Sequence, residues 1–322
     1  LDELIVSLVP GVVPEAYFED NPLFSNYRRL DGTPNQFVAT VAAGLGEVAL
    51  QRLMIAQIEA DPATVEWIEP NFYQNWQKYY LPNDTRFANQ WHLHNIGQLD
   101  AVEDADSDLP EAWAINRGGS FDYVIGVIDD GVENHPDLSL WVNAGEISGN
   151  GIDDDGNGWV DDVHGWNFVF NNNQSFPTAA NDSHGTAVAG VAAARGDNGV
   201  GVAGASYNPV VSSARMFQGN SVASDANIAA ALYYMAGRTA DGQGTWKSAD
   251  LVNNSWGGGG FSNAINAALT WGTVSGRQGA GTPYFFASGN DFGPISYPAN
   301  QAASIPGVFA VGATNSRGTR SN

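Results

Sequence analysis

From residue 121 onward the chain repeats one arrangement: a short apolar run, a longer stretch with helical spacing, then another apolar run. The runs are residues 123–128, 210–216, 250–253, 283–287 and 308–311. A strand that is apolar on both sides needs cover on both faces, which is the condition of parallel sheets. Between the runs lie helix candidates at 185–194, at 225–236 with Gly237 as its stop, and at 262–271 with Gly272 as its stop. The alternation predicts an α/β fold on a doubly wound parallel sheet. Ligands of such sheets gather beyond the carboxyl ends of the strands. Asp129, Ser255 and Asn290 each fall just after a strand candidate, and so on that edge.

The first 80 residues follow a different pattern. Strand candidates at 4–9, 36–41 and 65–70 flank a helix candidate at 48–59, with apolar residues at Val48, Leu50, Leu53, Met54 and Ile58 and a stop at Asp61-Pro62. This predicts a small α+β unit. A polar and aromatic connector, 71–80, precedes a second start at Leu81-Pro82-Asn83-Asp84. The expected domains are therefore 1–80 and 81–322.

Charge and composition narrow the function classes. The formal net charge is -22 with only 13 Lys and Arg, which disfavours nucleic acid and anionic membranes as partners. The absence of cysteine excludes disulfides, thiolate catalysis and zinc–thiolate sites. No apolar run approaches the roughly 18 residues of a membrane-spanning helix. The chain begins at Leu1, so a signal peptide is expected to be already removed or outside it.

Several residues are suited to chemistry. Asp129 closes an apolar strand before Gly131, where a carboxylate can hold an imidazole in one tautomer; a plain turn aspartate fits the same pattern. His184 opens a helix of small residues, with Asp182 or Ser183 as the expected cap, and can project as a general base or simply bond to backbone. His92, His94, His135 and His164 read as structural. Asn290 ends 285–290 and can donate to a developing oxyanion or adopt a left-handed turn. Residues 254–260 form a glycine-rich edge on which an extended peptide can pair.

The segment 153–162 stands apart. Asp153, Asp155 and Asn157 offer oxygens at positions one, three and five, Gly158 follows at position six, and Trp159 and Asp162 complete the expected ligand set. This is the first half of an EF-hand-like loop without evident flanking helices. So many carboxylates repel one another unless neutralised, and calcium is the expected cation.

The runs VIDDGVENHPDL, DSHGTAVAGVAAA, NNSWGG and ASGN, taken together and in this order, resemble subtilisin-like serine proteases over about residues 83–322. The Asp-Asp-Gly after the strand, Ser-Trp-Gly, and NGVGVAGASYN are more similar to the kexin and furin branch. The resemblance implies Asp129 as triad acid, His184 as general base and Asn290 as oxyanion donor. It makes Ser255, Trp256 and Gly257, with Ala287, Ser288 and Gly289, the walls of the pocket for the residue before the scissile bond. It also implies calcium held by Asp84, Asp137, the Asn198 side chain and carbonyls of Arg195, Val200 and Val202. Residues 1–80 resemble the prodomain of such a zymogen, ferredoxin-like in fold, a folding chaperone and intramolecular inhibitor cut within the connector.

The family's nucleophile segment, Gly-Thr-Ser followed by small residues, is not among the 322 residues; Ser321 has an echo of it and lacks the small residues after it. The expectation is a calcium-dependent serine endopeptidase, secreted or periplasmic, acting on polypeptides. This chain alone is expected to be inactive, as the N-terminal piece of a longer protease whose remainder is either a C-terminal companion polypeptide carrying the serine or absent. The alternative is a pseudoprotease or a peptide-binding, inhibitory fragment. Asp130 falls at a position associated with basic substrate residues, yet Gly258 to Gly260 lacks the acidic residue of kexin-like enzymes, so the expected preference is basic or broad.

Overall fold

The computed structural model describes residues 3–19, 21–42, 52, 54, 56, 62–71 and 80–321. They divide into two compact units, Leu1–Trp76 and Gln77–Asn322. The helix candidate at 48–59 and the connector at 71–80 lie largely outside the described residues.

In the first unit, β1 (Glu3–Leu8), α1 (Pro14–Phe18), β2 (Phe24–Arg29), β3 (Gln36–Val41) and β4 (Val65–Pro70) build an antiparallel sheet of order β2-β3-β1-β4. Leu4, Val6, Phe37, Ala39, Val65 and Ile68 bury one face against Phe18. Strand β2 is not among the expected strands because it is an edge. Apart from Phe24, its side chains are half-buried or exposed, so its sequence has the polarity of a loop. Helix α1 is five residues long and has no periodicity to detect.

The second unit carries the α/β fold expected from the alternation. After α2 (Leu109–Ile115) come β5 (Val124–Asp129), β6 (Gly165–Asn167), α3 (His184–Ala193), β7 (Val210–Arg215), a hairpin of β8 (Phe217–Gln218) and β9 (Ser221–Val222), α4 (Asp225–Met235), β10 (Leu251–Asn254), α5 (Asn263–Ser275), β11 (Tyr284–Ala287) and β12 (Val308–Val311). Six strands form a parallel sheet of order β12-β11-β10-β5-β7-β6. The chain leaves β7, passes β5 and resumes at β10, so the winding reverses beside β5.

Helices α4 and α5 cover one face, where Leu232, Leu269, Ile128, Val252, Tyr284 and Phe286 form the main core. On the other face Ala189 and Ala193 of α3 pack on Val127 and Val211. The register continues that second face through Leu251 and Asn253, then Phe285 and Ala287, then Phe309 and Val311. Phe309 and Val311 are exposed, and among the described residues α3 covers this face over β5 and β7.

Helix α5 does not stop at Gly272 but runs on to Ser275. Gly272 is a packing residue: a Cβ there would collide with the Tyr284 hydroxyl, which donates to the carbonyl of Leu232 at 3.0 Å. The glycine seen as a terminator therefore makes room for a neighbouring strand's side chain.

Candidate active site

Strand β5 delivers Asp129 to the carboxyl edge of the sheet with 2% of its surface exposed. His184, the first residue of α3, turns its Nδ1 to that carboxylate, 2.8 Å from Oδ1 and 2.9 Å from Oδ2. The His184 side chain is 59% exposed, so the ring is anchored at one nitrogen and open to a cleft. Burial pushes the Asp129 carboxyl above its ordinary pKa, and the bonds from His184 and from the Asp130 N–H pull the other way.

The approach of α3 to β5 depends on glycine. A Cβ on Gly185 would lie 2.5 Å from the Gly131 carbonyl and 2.9 Å from Asp129 Cβ. Gly131 has φ +106°, and a side chain there would meet the backbone of 175–177.

Neither expected cap serves α3. Ser183 makes no capping bond, and Asp182 points to Arg215. Asp130 does the capping from the neighbouring strand end: its Oδ1 accepts from Gly185 N at 2.7 Å and its Oδ2 from His184 N at 3.0 Å. A carboxylate on two free N–H groups at a helix start also complements the helix dipole. Asp130 is buried, and both of its carboxylate oxygens accept from these helix-start N–H groups. An aspartate 54 residues from its helix start carries no local capping signal, so the sequence could not reveal it.

The other residues expected on this edge come together on neighbouring strands. Ser255 and Trp256 follow β10, and Asn290 is exposed on the loop after β11. Trp256 packs edge-on to Phe286, with centroids 5.3 Å apart. Ser296 links the two loops, a role the sequence reading missed. Its N–H donates to the Ser288 carbonyl at 3.1 Å, and a Cβ on Gly257 would lie 2.7 Å from its Oγ. Gly258 N–H donates to Tyr297 O at 2.7 Å, while Gly259 and Gly260 are exposed with open space on the Cβ side. Beside this edge is a cavity of about 250 Å³ lined by Met216, Phe217, Ile228, Trp256, Ile265 and Tyr297.

Two clusters have the chemistry of cation sites. Asp84 and Asp137 are buried, and burial followed by the Asp137 charge raises the Asp84 pKa. Asp84 Oδ2 accepts from Asp197 N at 2.6 Å, but its buried Oδ1 has no protein partner. An orphaned carboxylate oxygen near a second carboxylate fits a hard cation. Val202 N donates to Asp137 Oδ2 and Asn198 Nδ2 to Asp137 Oδ1, so Asn198 must turn its amide over to offer an oxygen. Arg195 N donates to the Asp137 carbonyl, and Val200 N to Asn198 Oδ1, so all the expected residues border one loop.

In the acidic segment, carboxylate oxygens of Glu146, Asp153 and Asp155 lie within 4.8 Å of one another. Glu146, seven residues before Asp153, is an acid of this cluster that lies outside the segment 153–162. Asp162 is hydrogen-bonded within the same segment, to Asn143 and to a helix. It is fully buried, accepts from Asn143 Nδ2 at 2.7 Å, Tyr234 Oη at 2.8 Å and Asn157 Nδ2 at 3.2 Å, and braces the loop from beneath. Burial, its largest influence, pushes its pKa up to about 7. Trp159 packs its ring against Trp166, Phe168 and Tyr234. Asn157 uses its Oδ1 to accept from Trp159 N at 2.7 Å.

The model of the subtilase family matches residues 121–322. An extracellular protease of Xanthomonas campestris pv. campestris is 33% identical over 286 residues, covering 84% of this chain and 44% of that protein. Neuroendocrine convertase 2 of Mus musculus is 28% identical over 219 residues, covering 65% of this chain and 30% of the convertase. Among solved structures, a protease from Pseudoalteromonas arctica PAMC 21717 has a TM-score of 0.53 at 27% identity, covering 75% of this chain and 68% of that one. An Aeromonas sobria serine protease, solved with a chaperone, has a TM-score of 0.55 at 20% identity, covering 76% and 41%, and speaks to the fold alone. The chain spans less than half the length of these two curated relatives. Among the described residues no helix is long and apolar enough to cross a membrane.

Proposed function

The chain belongs to the subtilase family, whose model matches residues 121–322, and from that premise we propose that it carries the acid, base and substrate edge of a calcium-stabilised serine endopeptidase. The observation that carries this reading is the buried Asp129 carboxylate on Nδ1 of an otherwise open His184 ring. With Nδ1–H held by Asp129, Nε2 is the basic nitrogen. It takes the proton of an attacking hydroxyl, and the carboxylate stabilises the resulting imidazolium. Asn290 donates to the oxyanion of the tetrahedral intermediate. A substrate strand pairs with the backbone of Gly258 to Gly260, and Ser255, Trp256, Gly257, Ala287, Ser288 and Gly289 wall the pocket before the scissile bond.

Among the described residues no serine hydroxyl lies within hydrogen-bond reach of His184. The nucleophile is proposed to come from polypeptide outside residues 1–322. The support is the exposed apolar face of β12, which such a segment would bury. Without it the chain binds peptides and does not cut them. Calcium is proposed at Asp84 and Asp137 with Arg195, Asn198, Val200 and Val202, and at Glu146, Asp153 and Asp155. Its contribution there is structural, since each loop buries or crowds carboxylates that a cation would neutralise.

Residues 1–80 are proposed as the inhibitory prodomain, supported by the compact first unit and its β2-β3-β1-β4 order. Secretion is supported by the similarity to an extracellular protease. A basic or broad preference is retained. The glycine edge has no carboxylate, and the net charge of -22 favours cationic peptides.

The test is labelling of the native polypeptide that carries these residues with a fluorophosphonate, followed by mapping of the adduct. An adduct on a serine outside 1–322, dependent on His184, is expected. No adduct on any serine would leave only the peptide-binding reading.

A further inference from the structure

The structure also assigns a positioning role to the buried ion pair of Arg215 and Asp182, and we propose that it sets the angle at which His184 meets Asp129. The proposal rests on the reading of that second pair as triad acid and base. Arg215 ends β7 and is register partner of Asp129 at the end of β5. The two adjacent strand ends thus hold His184 from two sides: Asp129 binds the imidazole ring, and Arg215 binds the residue two positions before it.

Every donor group of Arg215 is used, although the residue has 0% exposure. Nε donates to the Phe217 carbonyl at 3.1 Å, and Nη1 to the Phe176 carbonyl at 2.9 Å and Thr178 Oγ1 at 3.1 Å. Nη2 donates to Thr178 Oγ1 at 3.1 Å and to Asp182 Oδ2. Asp182 accepts as well from Gly219 N at 2.9 Å and Ala179 N at 3.2 Å. The loop before α3 is therefore tied to the end of β7 at Phe176, Thr178 and Asp182.

Buried ion pairs are weak contributors to net stability, because desolvation offsets most of the attraction. Their directional bonds are better suited to fixing one geometry, and this geometry matters. His184 is the first residue of its helix, the side chain of its N-cap residue makes no capping bond, and its ring must bisect a carboxylate on another strand. A small rotation of the loop that enters α3 would carry the ring off that carboxylate, and catalytic groups tolerate displacements well under an ångström.

The test is NMR of protein with ¹⁵N-labelled histidine, of which the chain has five. In acid, the proton between His184 Nδ1 and Asp129 should appear far downfield and vanish in His184→Gln. Two variants are compared at temperatures well below their melting points: Asp182→Asn, and Asp182→Asn with Arg215→Gln, which leaves no buried charge unpaired. Loss or severe broadening of the downfield proton in both, with the His164 signals unchanged, is the expected result. Retention in both, or loss only where Arg215 is left unpaired, would overturn the positioning role. If the wild-type protein lacks the signal, the Asp129–His184 reading itself fails, and this proposal with it.

Discussion

His184 Nδ1 lies 2.8 and 2.9 Å from the two oxygens of the Asp129 carboxylate, across 55 residues of sequence. Both oxygens face the same ring nitrogen, so the carboxylate selects the tautomer with a proton on Nδ1. Replacing Asp129 by Asn would put an amide donor in the acceptor's place. In the polypeptide that includes the nucleophile, Asp129→Asn should lower kcat about 10⁴-fold. Peptide hydrolysis compared with circular dichroism checks this; a loss under tenfold in a folded variant would sink the assignment.

Asn290 is proposed to act only on charge that develops in the transition state. Asn290→Ala should therefore reduce kcat by about 10²–10³-fold and leave KM nearly unchanged. Steady-state kinetics on one peptide substrate separate the two constants. A raised KM with unaltered kcat would make Asn290 a ground-state contact.

Gly272 offers a case where helix propensity and packing oppose each other. Alanine in mid-helix is worth about 1 kcal/mol over glycine. Its Cβ would, however, meet the Tyr284 hydroxyl and disturb the bond to Leu232 O. Overpacking of this kind costs about 1–3 kcal/mol, with about 1 more for the lost hydrogen bond. Gly272→Ala is expected to lower the denaturation midpoint, and Tyr284→Phe added to it should recover part of the loss. A more stable single variant would contradict the packing account.

Chelation of calcium should lower Tm, because the crowded carboxylates at Glu146, Asp153 and Asp155 and the buried ones at Asp84 and Asp137 would lose their counter-charge. At one hundred times Kd, a bound ion stabilises by about 2.7 kcal/mol. Glu146→Gln should weaken the response of the acidic loop, measured by calorimetric titration. An identical melting curve in calcium and in excess chelator would rule out both sites.

Asp162 gives a pH dependence of definite sign. Its folded pKa, about 7, stands above the ordinary 3.8 because of burial. The native state therefore holds the proton more tightly. The stability linked to this group is complete below about pH 4 and is lost as pH rises through about 7, by up to roughly 4 kcal/mol. Chelated protein should melt lower at pH 8 than at pH 5, and Asp162→Asn should flatten that slope. Equal slopes in the two proteins would remove Asp162 as the cause.

Strands β5, β7, β10, β11 and β12 were legible because each begins with a short run rich in apolar residues, which survives in one dimension; in β5 and β7 that run is buried on both faces. Strand β6 was not, since Gly165, Trp166 and Asn167 are too few to carry a period. Asp129, His184 and Asn290 were legible as residues at strand and helix ends, where chemistry concentrates. The roles of Asp130, Asp182 and Glu146 were not. Each is an aspartate or glutamate in an acidic chain, and what it does depends on which N–H or guanidinium faces it.

The sequence by itself determined the alternation of strands and helices, and with it the class of fold and the edge on which reactive residues would lie. Burial follows from side-chain chemistry and local period, so a single chain can encode it legibly. The tertiary structure alone decided the partners: Asp129 with His184, Asp130 with the start of α3, and Arg215 with Asp182. Those pairings depend on β5 and β7 lying side by side although the chain between them passes through β6 and α3; that adjacency brings strand ends from distant segments to the start of α3. Hydrogen bonds and ion pairs act over about 3 Å, so only the strand order settles which charges meet.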